Sequence, residues 1–127
     1  MKTLSLFLFI LFHIVQFSAQ ERTDYLKYMA KSLPDTYAKS NANLFFTVQI
    51  SALSKKNRSL DSLKNINIYK EKDNLIKYRL GEFTTYKNAV EFKKMLRSVC
   101  RDAFIVPIKN GKRIHIKQAL KEVSDIL

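Results

Sequence analysis

A chain of 127 residues has the length of one compact domain, and 23 lysines and arginines against 11 acids give it a formal charge of +12. That surplus favours anionic partners, which include nucleic acid, acidic lipid and acidic cell-wall polymer. A single cysteine, Cys100, excludes an internal disulfide framework, so the core must hold the fold. At the N-terminus Lys2 precedes the apolar run Leu4–Phe12, a weaker stretch to Phe17, and small or polar residues at Ser18, Ala19 and Gln20. This is the pattern of a secretory signal peptide over residues 1–19, with cleavage expected after Ala19. His13 and Gln16 interrupt the run, leaving it short of the ~20 apolar residues that a spanning helix needs. An uncleaved anchor would leave the remainder facing the same compartment. No Cys follows the run, which argues against a lipid anchor, and export argues against nucleic acid as the anionic partner.

Residues 20–43 are polar and mixed. Tyr25, Met29 and Leu33 recur at four-residue spacing and suggest a short helix over Thr23–Ser32, after which Pro34 opens a linker. The compact domain is expected over residues 44–127. Leu44–Ile50 is aromatic, β-branched and alternating, and reads as a first strand. Leu60 and Leu63 suggest a short helix, and Ile66–Lys70 a second strand. Glu71–Asn74 is a turn, and Leu75–Leu80 a third strand ended by Gly81. Thr84 or Thr85 can cap a helix on which Tyr86, Ala89, Phe92, Leu96 and Val99 share one face, with Lys87, Glu91, Lys94 and Arg97 opposite. Phe104–Ile108 is a fourth strand, with Pro107 suited to an edge or bulge. Asn110-Gly111 is a tight turn into a short extension, Arg113–Ile116. An amphipathic helix, Lys117–Ile126, closes the chain.

This order predicts an α+β fold of the split βαββαβ, RNP/ferredoxin-like type. Its antiparallel sheet carries two helices on one face, and a C-terminal hairpin extension and helix follow. The first and third strands are neighbours at the sheet centre. Strand alternation turns Phe46, Val48, Ile50, Ile76, Tyr78 and Leu80 toward the helices. Thr47, Gln49, Ser51, Leu75, Lys77 and Arg79 then share the open face. Gln49, Ser51, Lys77 and Arg79 offer the mixed donors and acceptors that glycan hydroxyls and N-acetyl groups need, and cations for lactyl carboxylates. Leu75, and Tyr69 if it faces outward, can pack on sugar rings. A half-solvated sheet has a polar outer face in any case.

Phe46-Thr-Val-Gln-Ile-Ser-Ala-Leu53 and Lys77-Tyr-Arg-Leu-Gly-Glu-Phe83 resemble the paired motifs of SPOR (sporulation-related repeat) domains. Tyr86-Lys-Asn-Ala-Val90 and Asp102-Ala-Phe-Ile-Val106 continue the likeness. Asn110-Gly-Lys-Arg-Ile114, with Gln118 and Ala119, is similar to a variant of Bacteroidetes-type envelope proteins. The likeness covers about residues 44–120 and rests on motif order and spacing. It implies binding to peptidoglycan glycan strands in the periplasm of a Gram-negative envelope, as in cell division, with Gln49, Lys77 and Leu75 at ligand-contacting positions. Ser51 stands where the family has Gly or another small residue, Leu53 where it has Phe, and Leu75 where an aromatic stacks.

Catalysis is not expected. Apart from His13 in the leader, His115 is the one histidine and Cys100 the one thiol, so neither a three-ligand zinc site nor a supported Cys–His pair is in view. A glycosidase needs two carboxylates flanking a cleft, and Glu71, Asp73 and Glu82 lie in turns or strand ends. No cofactor and no metal is expected. Cys100 suits a small buried apolar position, or an intermolecular disulfide in an oxidising compartment. The competing functional class is an envelope protein-interaction or assembly module that keeps the fold without binding glycan.

Overall fold

The computed structural model describes residues 19–126; the leader expectation concerns residues that lie almost wholly outside that range. Among the described residues no helix is long and apolar enough to cross a membrane. The chain runs α1 (Ala19–Lys31), a 3-10 turn (Asp35–Tyr37), β1 (Leu44–Leu53), α2 (Arg58–Asp61), β2 (Ile66–Lys70), β3 (Ile76–Phe83), α3 (Tyr86–Leu96), β4 (Phe104–Lys109), β5 (Lys112–Arg113) and α4 (Ile116–Ile126). The fold is α+β, with one antiparallel five-stranded sheet in the order β2-β3-β1-β4-β5.

Local chemistry sets the helix starts. The Asn57 side chain accepts from Leu60 N at 3.1 Å and opens α2, and Thr85, rather than Thr84, accepts from Asn88 N at 3.2 Å and opens α3. Along α3 the apolar stripe Ala89, Phe92 and Leu96 is buried on Phe46, Val48, Leu80 and Phe83 of the sheet. The stretch expected as a polar segment and linker is in fact part of the domain. Leu26, Met29, Ala30 and Leu33 are buried in the same core. Tyr37 stacks on Phe83 at 5.0 Å, which in turn meets Phe92 at 5.3 Å. The polar residues of α1 form its outer face, and its apolar stripe would be costly to leave in water.

Two bulges depart from plain alternation. Gly81 does not end the third strand; β3 runs on to Phe83. Phe46 pairs with Phe83 and Val48 with Leu80, so Gly81 and Glu82 together oppose Thr47. Gly81 takes φ +76°, the left-handed first position of a glycine bulge, and this returns Phe83 to the core side. The second bulge lies in β1: Gln49 pairs with Arg79 but Ser51 with Tyr78, which leaves Ile50 as the extra residue. Tyr78 is fully buried. Its hydroxyl donates to Asp61 Oδ1 at 2.8 Å and accepts from Asn57 N at 2.9 Å, which pins α2 to the sheet. Burial raises this phenol above its ordinary range; the Asn57 N–H works against the rise, and the Asp61 carboxylate adds to it.

Candidate functional site: a trough across the helix-free face

Directly opposed residues of an antiparallel pair share a face. The pairings therefore assemble Tyr69 of β2, Lys77 and Arg79 of β3, Thr47 and Gln49 of β1, and Phe104, Val106 and Ile108 of β4 on the side away from the helices. That face is not open in the sense expected. Gln49, Lys77 and Arg79 are only 4%, 7% and 2% exposed, and Val106 and Ile108 are buried. The sheet curls so that its two edge hairpins flank this face. The β2–β3 turn and the β4–β5 turn line one cavity of about 730 Å³, with Tyr69, Glu71, Asp73 and Arg79 contributed from one edge and Lys112 and Arg113 from the other. Twist and bulges both drive a sheet toward such closure.

Glu71 and Arg113 also line a second cavity of about 600 Å³ with Phe104 and His115. Phe104 continues into a third, of about 310 Å³, with Gln49, Ser51 and Asp102. The three cavities adjoin at these shared residues and are together called the trough; Ile105 and Pro107, from the helix side of β4, also line the second, which wraps round that sheet edge. An aromatic ring lies toward each end, and each carries a guanidinium: Arg79 sits 5.0 Å from the centre of Tyr69, and Arg113 sits 5.7 Å from the centre of Phe104. Phe104 keeps 38% of its surface exposed.

Beneath the trough the polar groups bond to one another. Arg79 Nε donates to Gln49 Oε1 at 3.1 Å, and its terminal nitrogen pairs with Glu71. Lys77 Nζ meets Asp73 Oδ2 at 2.7 Å, and Asp73 also accepts from Leu75 N at 3.0 Å. The Lys77 hydrogen bond holds the Asp73 carboxyl below its ordinary range. Burial raises the Tyr69 phenol, the negative charge of Glu82 adds to that, and Arg79 opposes both. Glu82 accepts from Ser40 N at 2.8 Å and from Asn67 Nδ2 at 3.5 Å. Among the described residues no buried side-chain nitrogen or oxygen lacks a partner.

Gln49, Lys77 and Arg79 thus share one face, as alternation predicts, but as its buried floor. The face of Ser51 is a correction: the bulge at Ile50 sets it opposite Tyr78, on the helix side of the strand, although it still lines the third cavity with Gln49 and Phe104. Leu75 is a second correction. It sits in the turn, one residue ahead of β3, and lines none of the three cavities.

Sequence reasoning missed Phe104, Arg113 and Glu71. Alternation along Phe104-Ile-Val-Pro-Ile108 carries the signal for Phe104. Asn110 and Gly111, at φ 50° and 78°, form the two-residue turn that folds Lys112 and Arg113 back along β4.

Cys100 and His115 lie in different cavities. His115 Nδ1 accepts from Lys117 N at 3.1 Å, beside the start of α4. Burial pushes the Cys100 thiol up, away from the thiolate that a nucleophile needs. Among the described residues no three metal-ligating groups converge. No family model, curated protein or solved structure matches this chain.

Proposed function

We propose that the chain is a non-catalytic, SPOR-type module of the bacterial envelope that binds peptidoglycan glycan strands along this trough. The observation that carries the reading is the pair of aromatic rings, Tyr69 and Phe104, set along one groove with an arginine over each. Sugar rings bind extended grooves by packing apolar faces on aromatics while charged donors take their oxygens, each such bond contributing ~1.5–3 kcal/mol. The two rings offer the stacking that Leu75 was expected to supply. The run β1-α2-β2-β3-α3-β4, with strands ordered β2-β3-β1-β4, supports a split βαββαβ arrangement. An apolar leader supports export to the periplasm.

Phe104 and Arg113 are both exposed, so replacing them spares the core. The double variant Phe104→Ala/Arg113→Ala should lose co-sedimentation with purified sacculi while keeping its melting temperature. Pelleting equal to the unmodified protein refutes the trough as the site. One specific observation favours the second reading, a protein-interaction or assembly module: Lys77 and Arg79 already spend donors inside the fold, and Gln49 its side-chain acceptor. That reading gains if the protein ignores sacculi, amidase-treated ones included, and retrieves a defined envelope protein.

A further inference from the structure

Arg79 is a buried cation whose three sides are met differently. Gln49 fixes Nε from the sheet interior, Cζ lies 5.0 Å from the centre of the Tyr69 ring, and Glu71 takes the terminal nitrogen from the β2–β3 turn. The first two partners are strand residues held by backbone ladders. The third is different: Glu71 lies just past the end of β2, and its side chain is 32% exposed against 3% for Arg79. Its carboxylate therefore sits at the edge of the 730 Å³ cavity, between the guanidinium and water.

The far wall of that cavity carries Lys112 and Arg113, and no ion pair among the described residues engages either. Lys70 and Lys72 are on the same lining, and against these cations stand two carboxylates, Glu71 on Arg79 and Asp73 on Lys77, so the cavity keeps a positive surplus. Guanidinium and carboxylate are matched in shape and charge, so a second carboxylate entering the cavity competes for the same nitrogen. It also gains the attraction of Lys112 and Arg113. The turn need not unfold for this exchange, because Asp73 anchors it separately through Lys77 Nζ and Leu75 N.

We propose, on the reading that the trough takes glycan, that Glu71 is an internal occupant of a carboxylate subsite at Arg79. It holds the guanidinium in the empty protein and yields it to a sugar bearing a carboxylate. Arg79 faces one carboxylate before and after the exchange, Glu71 turns to water, and the added negative charge is met by Lys112 and Arg113.

The test compares N-acetylmuramic acid with N-acetylglucosamine, which differ by the lactyl ether and its carboxylate. Each is titrated into 15N-labelled protein while the Arg79 Nε–Hε resonance and sacculus pelleting are followed. Glu71→Gln should bind N-acetylmuramic acid roughly fivefold more tightly, the change expected when one partly exposed competing ion pair is removed. Its affinity for N-acetylglucosamine should not change. Glu71→Asp, which keeps the charge on a shorter arm, should fall between, and a native amide spectrum for either variant establishes that it is folded. The proposal is overturned by itself if the unmodified protein pellets with sacculi but folded Glu71→Gln gains nothing for N-acetylmuramic acid, or gains equally for both sugars. If no form of the protein binds either sugar or sacculi, the glycan reading falls and the subsite with it.

Discussion

Gly81→Ala should be among the most destabilising single-methyl additions in this protein. The residue sits at φ +76°, where a side chain costs about 1–2 kcal/mol of backbone strain. A β-carbon built there would lie 2.7 and 2.9 Å from the ring edge of Phe83. That ring cannot swing aside, because it is buried between Tyr37 and Phe92, at 5.0 and 5.3 Å. Forcing a methyl into such packing costs about 1–3 kcal/mol more. The loss is therefore about 2–5 kcal/mol, a large part of the ~5–15 kcal/mol that a domain has. Equilibrium urea unfolding measures it as a midpoint lowered by about 2 M, for a slope typical of small domains. Adding Phe83→Leu removes the ring edge and should return about 1 kcal/mol or more of the steric share, leaving the backbone share in place. A loss below ~1 kcal/mol for Gly81→Ala, or strict additivity in the double variant, refutes the bulge as described; the first lies below the summed strain and overpacking, and the second would mean that the methyl does not meet the ring.

Two further outcomes follow from the packing and the charges. Met29→Ala should cost about 2–5 kcal/mol in the same unfolding assay, because its side chain is buried between α1 and the sheet; a cost near zero would return residues 20–43 to the status of a linker. Asp73 and Glu122 both titrate below their ordinary values of 3.8 and 4.5, each chiefly through a lysine hydrogen bond, from Lys77 and Lys109 respectively. A lowered folded value means that the native state binds fewer protons there. Their stabilisation is therefore complete above the unfolded values and is lost as pH falls through the folded ones. Asp73→Asn should accordingly flatten the acid limb of stability below about pH 4, with little change in its shape at neutral pH.

How much of this was legible in the sequence can be followed strand by strand. Period-two alternation along Lys77-Tyr-Arg-Leu80 gave the side of each residue, and the pairings agree: Tyr78 and Leu80 on the helices, Lys77 and Arg79 away from them. The stripe Ala89, Phe92 and Leu96, the Thr85 cap and the Asn110-Gly111 turn were legible for the same reason, since each depends on residues a few positions apart. Ser51 failed because one bulged residue at Ile50 inverts the face of everything after it. Nothing local to Gln49-Ile-Ser51 marks that bulge; it is visible only in the register with the partner strand.

By itself, then, the sequence determined the charge, the α+β class, the element order and the sidedness of Gln49, Lys77 and Arg79. The tertiary structure alone decided that the face they occupy is a trough. Its two edge hairpins are separated in sequence by some forty residues, yet both line one cavity. Glu71 thereby reaches Arg79, and Arg113 reaches Phe104. Helix caps and strand faces follow from short-range sterics and hydrogen bonding. Curl is the accumulated twist of five strands and two bulges, a sum over long-range pairings that no stretch of the chain contains alone.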